Sequence, residues 1–419
     1  MPRIRAFKFQ LRARPAVEVQ LRRFAGQARW VWNRALFEQR ARHAHGEKYA
    51  GYAEMCKWLT AWRNDPETAW LAAGSVSIQQ QVLRGLDVAY KRFFESMKAA
   101  GSKGQRVGMP RPKKRGQSMM LRFPNPTQFE IDTDHGRVKL PKLGWVRLRM
   151  SREIEGEIRN VSLVREGAKW FASIQTEIAQ TAPAPHLAPS LGIDVGVTLF
   201  AATSDGQKIA PLNALARQQM RMKRLQRCVS RRKKGPKNRR KALDRLARLH
   251  RQIAQQRSDW LHKLTTELAS HHPVIAIEDL KVAAMSASAK GKGRKAKAAL
   301  NRAILDQGWA QFRRQLQYKL EAVGGELIAV EPAYTSRTCR SCGHDAAENR
   351  KTQSVFCCLA CGHTEHADVH AAKNILIAGH ATWAKRSAAP EACGEPVRPV
   401  RKRRLGSAKQ EPTKGVMLG

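Results

Sequence analysis

Apolar positions along this chain change their spacing several times, and each change marks an element boundary. RIRAFKFQLR, at the start, alternates apolar and polar residues, the period of a strand with one buried face. From 17 to 100 the spacing is helical and carries Trp30, Trp32, Trp58, Trp62 and Trp70, with a second helical block through VLRGLDVAYKRFFESM. The pattern predicts an all-helical lobe whose tryptophans mostly fill its core. Residues 101–118, GSKGQRVGMPRPKKRGQS, read as a connecting loop that touches phosphate. Between 121 and 178 the period returns to two, with turn signals at DHG and EG, which predicts a small antiparallel β-domain.

QTAPAPHLAPS, residues 180–190, is a Pro-rich linker, and the pattern beyond it alternates strands with helices. LGIDVGV reads as a buried strand, followed by a hairpin turned at Asp205-Gly206. Residues 212–270 form a basic helical hairpin broken at Gly235-Pro236, with Leu243, Leu246, Leu249 and Ile253 as its apolar stripe. VIAIEDL is a second apolar strand ending in acid, and residues 281–299, of low complexity, are expected to be mobile. Helical spacing returns over 302–322 with Trp309, Phe312, Leu316 and Leu320, and a strand follows in GGELIAVEP. After 386 the chain turns polar, Pro-rich and basic, the composition of a disordered tail.

Charge narrows the partners. Across 419 residues, 77 Lys and Arg face 34 Asp and Glu, a formal net charge of +43, which implies a polyanionic partner. No run approaches the ~18 apolar residues of a spanning helix and no signal-peptide core opens the chain, so nucleic acid is favoured over a membrane. In RRKKGPKNRRK, residues 231–241, eight of eleven positions are cationic. Arg231, Arg232, Lys233, Lys234, Lys237, Arg239 and Arg240, with Lys113, Lys114 and Arg115 of the earlier loop, are therefore candidate phosphate contacts.

Of eight cysteines, five crowd into 339–361, a pattern of metal binding in a reducing compartment. Cys339 and Cys342 form one CxxC pair and Cys358 and Cys361 the other, fifteen residues apart, the spacing of a zinc ribbon. Only Cys358, and not Cys357, leaves a two-residue gap to Cys361. A four-thiolate site keeps no open position for water, so this zinc is structural. Asp194 poses a different problem, because a carboxylate inside an apolar strand costs several kcal/mol unless it is compensated. Glu278 and Asp368 are its candidate partners, although Glu278 is followed by Asp279 and either could simply cap the next segment, and Asp368 suits a helix's first turn. Three converging acids make sense around divalent cations, with Mg²⁺ or Mn²⁺ suited to hard oxygen ligands.

The order GIDVGV, IAIEDL, TSRTCRSCGH, CCLACGH, HADVHAAKNIL closely resembles TnpB, the OrfB-type protein of insertion sequences. ARWVWNRAL and GMPRPKKR extend the resemblance over most of the chain. That family is related to type V CRISPR effectors and has a RuvC-like nuclease of the RNase H fold. The resemblance implies an α/β RNase H-like nuclease domain over 191–335 and 363–385, with a zinc ribbon inserted at 336–362. It also implies a β-barrel-like domain from 1–16 and 101–179, a helical lobe at 17–100 inserted in it, a linker at 180–190 and a tail at 386–419. Asp194, Glu278 and Asp368 become the metal-binding catalytic acids of an RNA-guided DNA endonuclease. Its partners are a guide RNA from the transposon end and double-stranded target DNA, met in the cytoplasm at the nucleoid. The sequence names no protein partner. A non-cleaving regulator of transposition and a strand-transfer transposase are the alternatives. His370 stands where family members commonly have Asn, and as a donor it is expected to support the site from outside the metal shell.

Overall fold

The computed structural model describes residues 3–98, 107–167, 169–179, 189–233, 235, 237–288, 293–332, 335–350, 352 and 354–388. Lys234, most of the 180–190 linker, the loop around residue 290 and the tail beyond 388 lie outside these described residues. The chain divides into two units, residues 1–182 with 214–259, and residues 183–213 with 260–419.

The first unit begins with strand β1 (Arg3–Arg12), where Phe7, Phe9 and Leu11 are buried and the residues between them are not. Helix α1 (Pro15–Ala44) starts on a proline, whose missing N–H has no helical partner to lose. Its buried residues Leu21, Phe24, Ala28, Val31 and Ala35 recur every three or four positions, one face of a helix. Helices α2 (Tyr52–Asn64) and α3 (Val76–Lys98) complete the lobe. Trp30 meets Trp62 and Trp70 edge-on at 5.6 and 5.5 Å, but the tryptophans do not fill the core: Trp30, Trp32, Trp58 and Trp62 are half-buried at its edge and Trp70 is exposed, as wide rings with a polar N–H often are.

Six short or medium strands follow: β2 (Leu121–Phe123), β3 (Glu130–Asp132), β4 (Arg137–Leu140), β5 (Gly144–Arg149), β6 (Glu157–Glu166) and β7 (Lys169–Ile178). With β1 they form one antiparallel sheet, order β2-β6-β7-β1-β5-β4-β3, in which the N-terminal strand lies between β7 and β5. Sheet and lobe share a continuous core. Helix α4 (Ala214–Ser230) and helix α5 (Lys237–His271) form the predicted broken hairpin. The apolar stripe of α5 differs from the expected one by a residue at its start: Ala242, Leu249 and Ile253 are buried, whereas Leu243 is exposed. The spacing 243, 246, 249, 253 is also helical, but the inward stripe 242, 246, 249, 253 places Leu243 about 100° off that face.

In the second unit, β8 (Leu191–Val195), β9 (Ala201–Thr203), β10 (Lys208–Ile209), β11 (Val274–Glu278) and β12 (Glu326–Val330) form a sheet of order β10-β9-β8-β11-β12. β11 runs parallel to β8 and β12, while β9 is antiparallel to β8 and β10. Alternate residues of β11 enter opposite cores: Ile275 and Ile277 join Phe312 and Leu316, and Val274 and Ala276 join Ile375. Burial on both faces is why these strands read as unbroken apolar runs. Residues 281–299, expected to be mobile, hold helix α6 (Val282–Met285) and the start of helix α7 (Arg294–Gln307). Alanine and lysine are good helix formers, and α7 is tied back by Asn301 Nδ2 to the Ser286 carbonyl at 2.8 Å and by Lys297 Nζ to that of Met285 at 2.7 Å. Helix α8 (Trp309–Ala322) buries Trp309, Phe312, Leu316 and Leu320. Strands β13 (Val355–Cys357) and β14 (Thr364–His366) pair in a small hairpin, and helix α9 (Ala367–Ala388) begins where β14 stops.

α9 packs closely against the sheet because two glycines allow it. A Cβ at Gly192 would lie 2.2 Å from the Ala372 carbonyl oxygen, and one at Gly379 2.6 Å from Ala276 Cβ.

Candidate functional site

In the pairing of β8 with β11, Ile193 faces Ile277, so the next residues of two parallel neighbours, Asp194 and Glu278, emerge side by side. Asp368 occupies the first turn of α9, whose later turns rest on Gly192 and Ala276. The three predicted acids are thus brought to one end of the sheet. Burial pushes the Asp194 carboxyl up to about 8, and the charges of Glu278 and then Asp368 push the same way, against the opposing pull of Arg350. Glu278 is also raised, chiefly by burial, against a hydrogen bond from Thr335 Oγ1 at 2.7 Å and the charge of Arg350. Asp279, the rival of Glu278, is paired instead with Arg313, whose hydrogen bond holds its carboxyl low.

Several residues around the acids carried no signal in the sequence. Arg350 donates to Asp368 Oδ1 at 2.9 Å. It follows Asn349, which is fully buried and donates to the carbonyls of Arg337 and His344 while accepting from Leu359 N–H. Asn374 of α9 donates to the carbonyls of Thr335 and Thr338 at 2.8 Å each, and so fixes the segment whose Thr335 reaches Glu278. An asparagine amide and a single arginine among 77 basic residues give no local pattern to read.

The four cysteines do converge. Cys339 Sγ lies 3.7 Å from Cys361 Sγ and Cys342 Sγ 3.5 Å from Cys358 Sγ, with all four within 4.8 Å of one another. A tetrahedron with zinc–sulfur bonds of about 2.3 Å has edges of about 3.8 Å, so the cluster has the size and donors that zinc takes. Its two knuckles repeat one pattern. Cys339 N–H donates to the His344 carbonyl and Gly343 N–H to that of Cys339, as Cys358 does to His363 and Gly362 to Cys358. Gly343 and Gly362 have φ of +75° and +71°, the left-handed conformation that glycine adopts without steric cost. Cys357 lies in β13 and pairs with Thr364, outside the cluster.

Beside the knuckles, Glu365 gathers Lys373, Arg340 at 3.3 Å, His370 Nδ1 at 3.4 Å and His363 Nε2 at 3.6 Å. Two cations already compensate this carboxylate, and the cluster ties the cysteine hairpin to α9. His370 is fully buried, stacked on Phe356, and its Nε2 lies 2.9 Å from the Thr338 carbonyl, which can only accept. Nε2 therefore carries the proton and donates to that backbone.

Of the candidate phosphate contacts, Arg231 and Arg232 follow α4, Lys233 stands in the connection, and Lys237, Arg239 and Arg240 open α5. All are exposed except the half-buried Arg239; Lys114 and Arg115 are exposed and Lys113 half-buried. The α4 face adds residues not singled out from the sequence: Arg221, Lys223, Arg224 and Arg227 line a groove of about 980 Å³ together with Arg231 and Arg232. Among the described residues, no helix is long and apolar enough to cross a membrane.

Comparison with known proteins accords with this order of parts. Residues 173–289 match a family model described as a probable transposase of the OrfB type, and residues 309–375 a Cas12f1-like TNB domain. Residues 1–48 match a model described as a helix-turn-helix domain, where this chain has β1 followed by one continuous helix. "Putative RNA-guided DNA endonuclease InsQ" of Escherichia coli (strain K12) is 45% identical over 99% of this chain and 98% of its own. A "Putative RNA-guided DNA endonuclease" of Streptomyces pristinaespiralis is 34% identical over 97% and 96%. Among solved structures, a Cas12f1–sgRNA–target DNA complex overlaps 89% of this chain and 98% of its own, with 18% identity and a TM-score of 0.32. The identities that span whole chains define the class: an OrfB-type insertion-sequence protein. Within that class the chain belongs to the TnpB family.

Proposed function

We propose that this protein is an RNA-guided DNA endonuclease of a transposon, cutting DNA beside a short motif by metal-dependent phosphodiester hydrolysis. The observation that carries the reading is the meeting of Asp194, Glu278 and Asp368 at one end of the β8–β11 pair, in a chain with a net charge of +43. The sheet order, with β8 central and β11 and β12 parallel to it, fits an RNase H-like, RuvC-type nuclease. The donor set supports two hard divalent cations, Mg²⁺ or Mn²⁺, since Asp194, a buried carboxyl that the charges of Glu278 and Asp368 push up further, is relieved by positive charge. When bound, such ions supply electrophilic stabilisation of the phosphodiester and an activated water.

The chain's own residues have separable tasks. Asp194 and Glu278 hold their carboxylates rigidly on adjacent strand ends, Thr335 orients Glu278, and Arg350 fixes Asp368 while adding positive charge beside the scissile phosphate. Zinc on Cys339, Cys342, Cys358 and Cys361 would tie together the two knuckles between which Asn349 and Arg350 lie. A guide RNA would supply sequence specificity and the cationic surface would hold backbone, the division of labour seen when base pairing reads the target. The β-domain, helical lobe, nuclease domain and ribbon are assigned the boundaries given from the sequence, and the site of action is the cytoplasmic nucleoid.

The test is Asp194→Ala, loaded with RNA co-expressed from the native flanking DNA. Cleavage of a matched duplex should fall to background while nucleic-acid affinity and thermal stability persist. Cutting near the wild-type rate would refute the assignment, and cutting absent in the wild type would favour the non-cleaving regulator.

A further inference from the structure

The loop 110–115 is held on α1 by contacts that use its backbone and spare its cations. Trp32 Nε1 donates to the Arg111 carbonyl at 3.0 Å. The Asn33 amide pairs twice with Lys113, donating to its carbonyl at 3.1 Å and accepting from its N–H at 2.7 Å. Two helical turns further, Arg40 Nη2 reaches the Pro110 carbonyl at 3.4 Å, and Pro110 itself is buried. The loop then turns, with Lys114 N–H on Gln117 Oε1 and Gln117 N–H on the Lys114 carbonyl. Lys113 lays its ammonium over the Trp32 ring at 4.6 Å from the centroid.

What this leaves outward is Arg111, Lys114 and Arg115, all exposed. Among the described residues none of the three is paired with an acid, and no Asp or Glu occurs between 101 and 129. A merely solvated charge run needs no such anchoring, because the side chains would find water from any backbone. Prolines 110 and 112 lack N–H groups, so the segment joins no sheet, and the three carbonyls are satisfied by neutral or already extended donors of one helix. Fixing the backbone before a ligand arrives removes part of the ordering cost of binding.

We propose that Trp32, Asn33 and Arg40 form a clamp that presents Arg111, Lys114 and Arg115 as a preformed contact for a phosphodiester backbone, with Asn33 as its positioning residue. This deepens the nucleic-acid reading given above and rests on it. Guide RNA and target DNA share that chemistry, and the two arms of the test separate them.

Full-length protein is titrated against a labelled single-stranded RNA and, separately, a duplex DNA of equal length over a range of salt. Arg111→Gln/Lys114→Gln/Arg115→Gln should weaken binding and lower the salt slope by roughly two to three in the arm concerned. Asn33→Ala should weaken the same arm several-fold with no change in melting temperature. In the triple-glutamine background, Asn33→Ala should then have no further effect, since the clamp acts only through those cations. Additive losses would show Asn33 acting elsewhere and overturn the proposal, as would an Asn33→Ala protein that binds like the wild type. If the wild type binds neither probe, the nucleic-acid reading itself fails; if it binds and the triple variant is unchanged, only this inference does.

Discussion

Replacing Asp194 by asparagine keeps the shape of the side chain and removes a charge that burial, Glu278 and Asp368 all oppose. In magnesium-free buffer Asp194→Asn should therefore melt higher than the wild type, by on the order of 1 kcal/mol in stability, while cleavage is lost. Adding Mg²⁺ should raise the melting temperature of the wild type more than that of the variant. Equal shifts would mean that the ion binds elsewhere. Lys319 shows the same conflict with opposite charge. Its ammonium donates to the His262 carbonyl, Thr265 and Thr266, and burial lowers it from 10.5 to about 8. Between about pH 8 and 10.5 the unfolded chain holds a proton that the folded chain has released, so stability contributed at this site rises with pH across that window. The melting temperature of the wild type relative to Lys319→Met should increase from pH 8 to pH 10; a constant difference would place the folded value near normal. Asp194 was legible in the sequence because a charge interrupts an apolar run, and the cysteines because paired thiols are rare. Arg350 was not, because its placement comes from the buried Asn349 and its charge is one among many.

At the scale of elements, the strands and helices followed the hydrophobic period wherever one face meets a core. β1, α1 and the β8–β11 pair are of that kind. The reading slipped where period and composition disagree. On α5 the apolar Leu243 stands beside the buried stripe, and in α7 a lysine-alanine composition of low complexity is helix held by tertiary ties. The approach of α9 to the sheet was also invisible, since a small residue in a strand says nothing of what will lie against it. Gly192→Ala tests that approach. Its new methyl group would meet the Ala372 carbonyl, so α9 must shift, at a cost of roughly 1–3 kcal/mol or more. Cleavage should fall by more than nucleic-acid affinity, because the shift moves Asp368 and leaves the basic surfaces alone. A variant with wild-type stability and rate would mean that α9 accommodates the methyl group without moving.

Over the whole molecule, the charge balance pointed to nucleic acid long before any element was placed, yet it could not say which basic residues stand in a prepared arrangement. The groove along α4 and the clamped loop depend on how helices set side chains together, and a count of lysines and arginines carries none of that. Metal content links distant parts. Cys339→Ser should lower zinc content and melting temperature, and should reduce cleavage as well, since the segment between the two knuckles brings Arg350 to Asp368. Full zinc occupancy in that variant would show the ligand set to be wrong.

α9 supplies the third acid and also the surface against which β8 and β11 are packed, and it follows every other described element in the chain. During translation, then, the basic helices emerge from the ribosome well before α9, while Cys358 and Cys361 precede Asp368 by only ten and seven residues. Truncation before residue 367 would thus leave uncovered the face of β8 and β11 on which α9 rests.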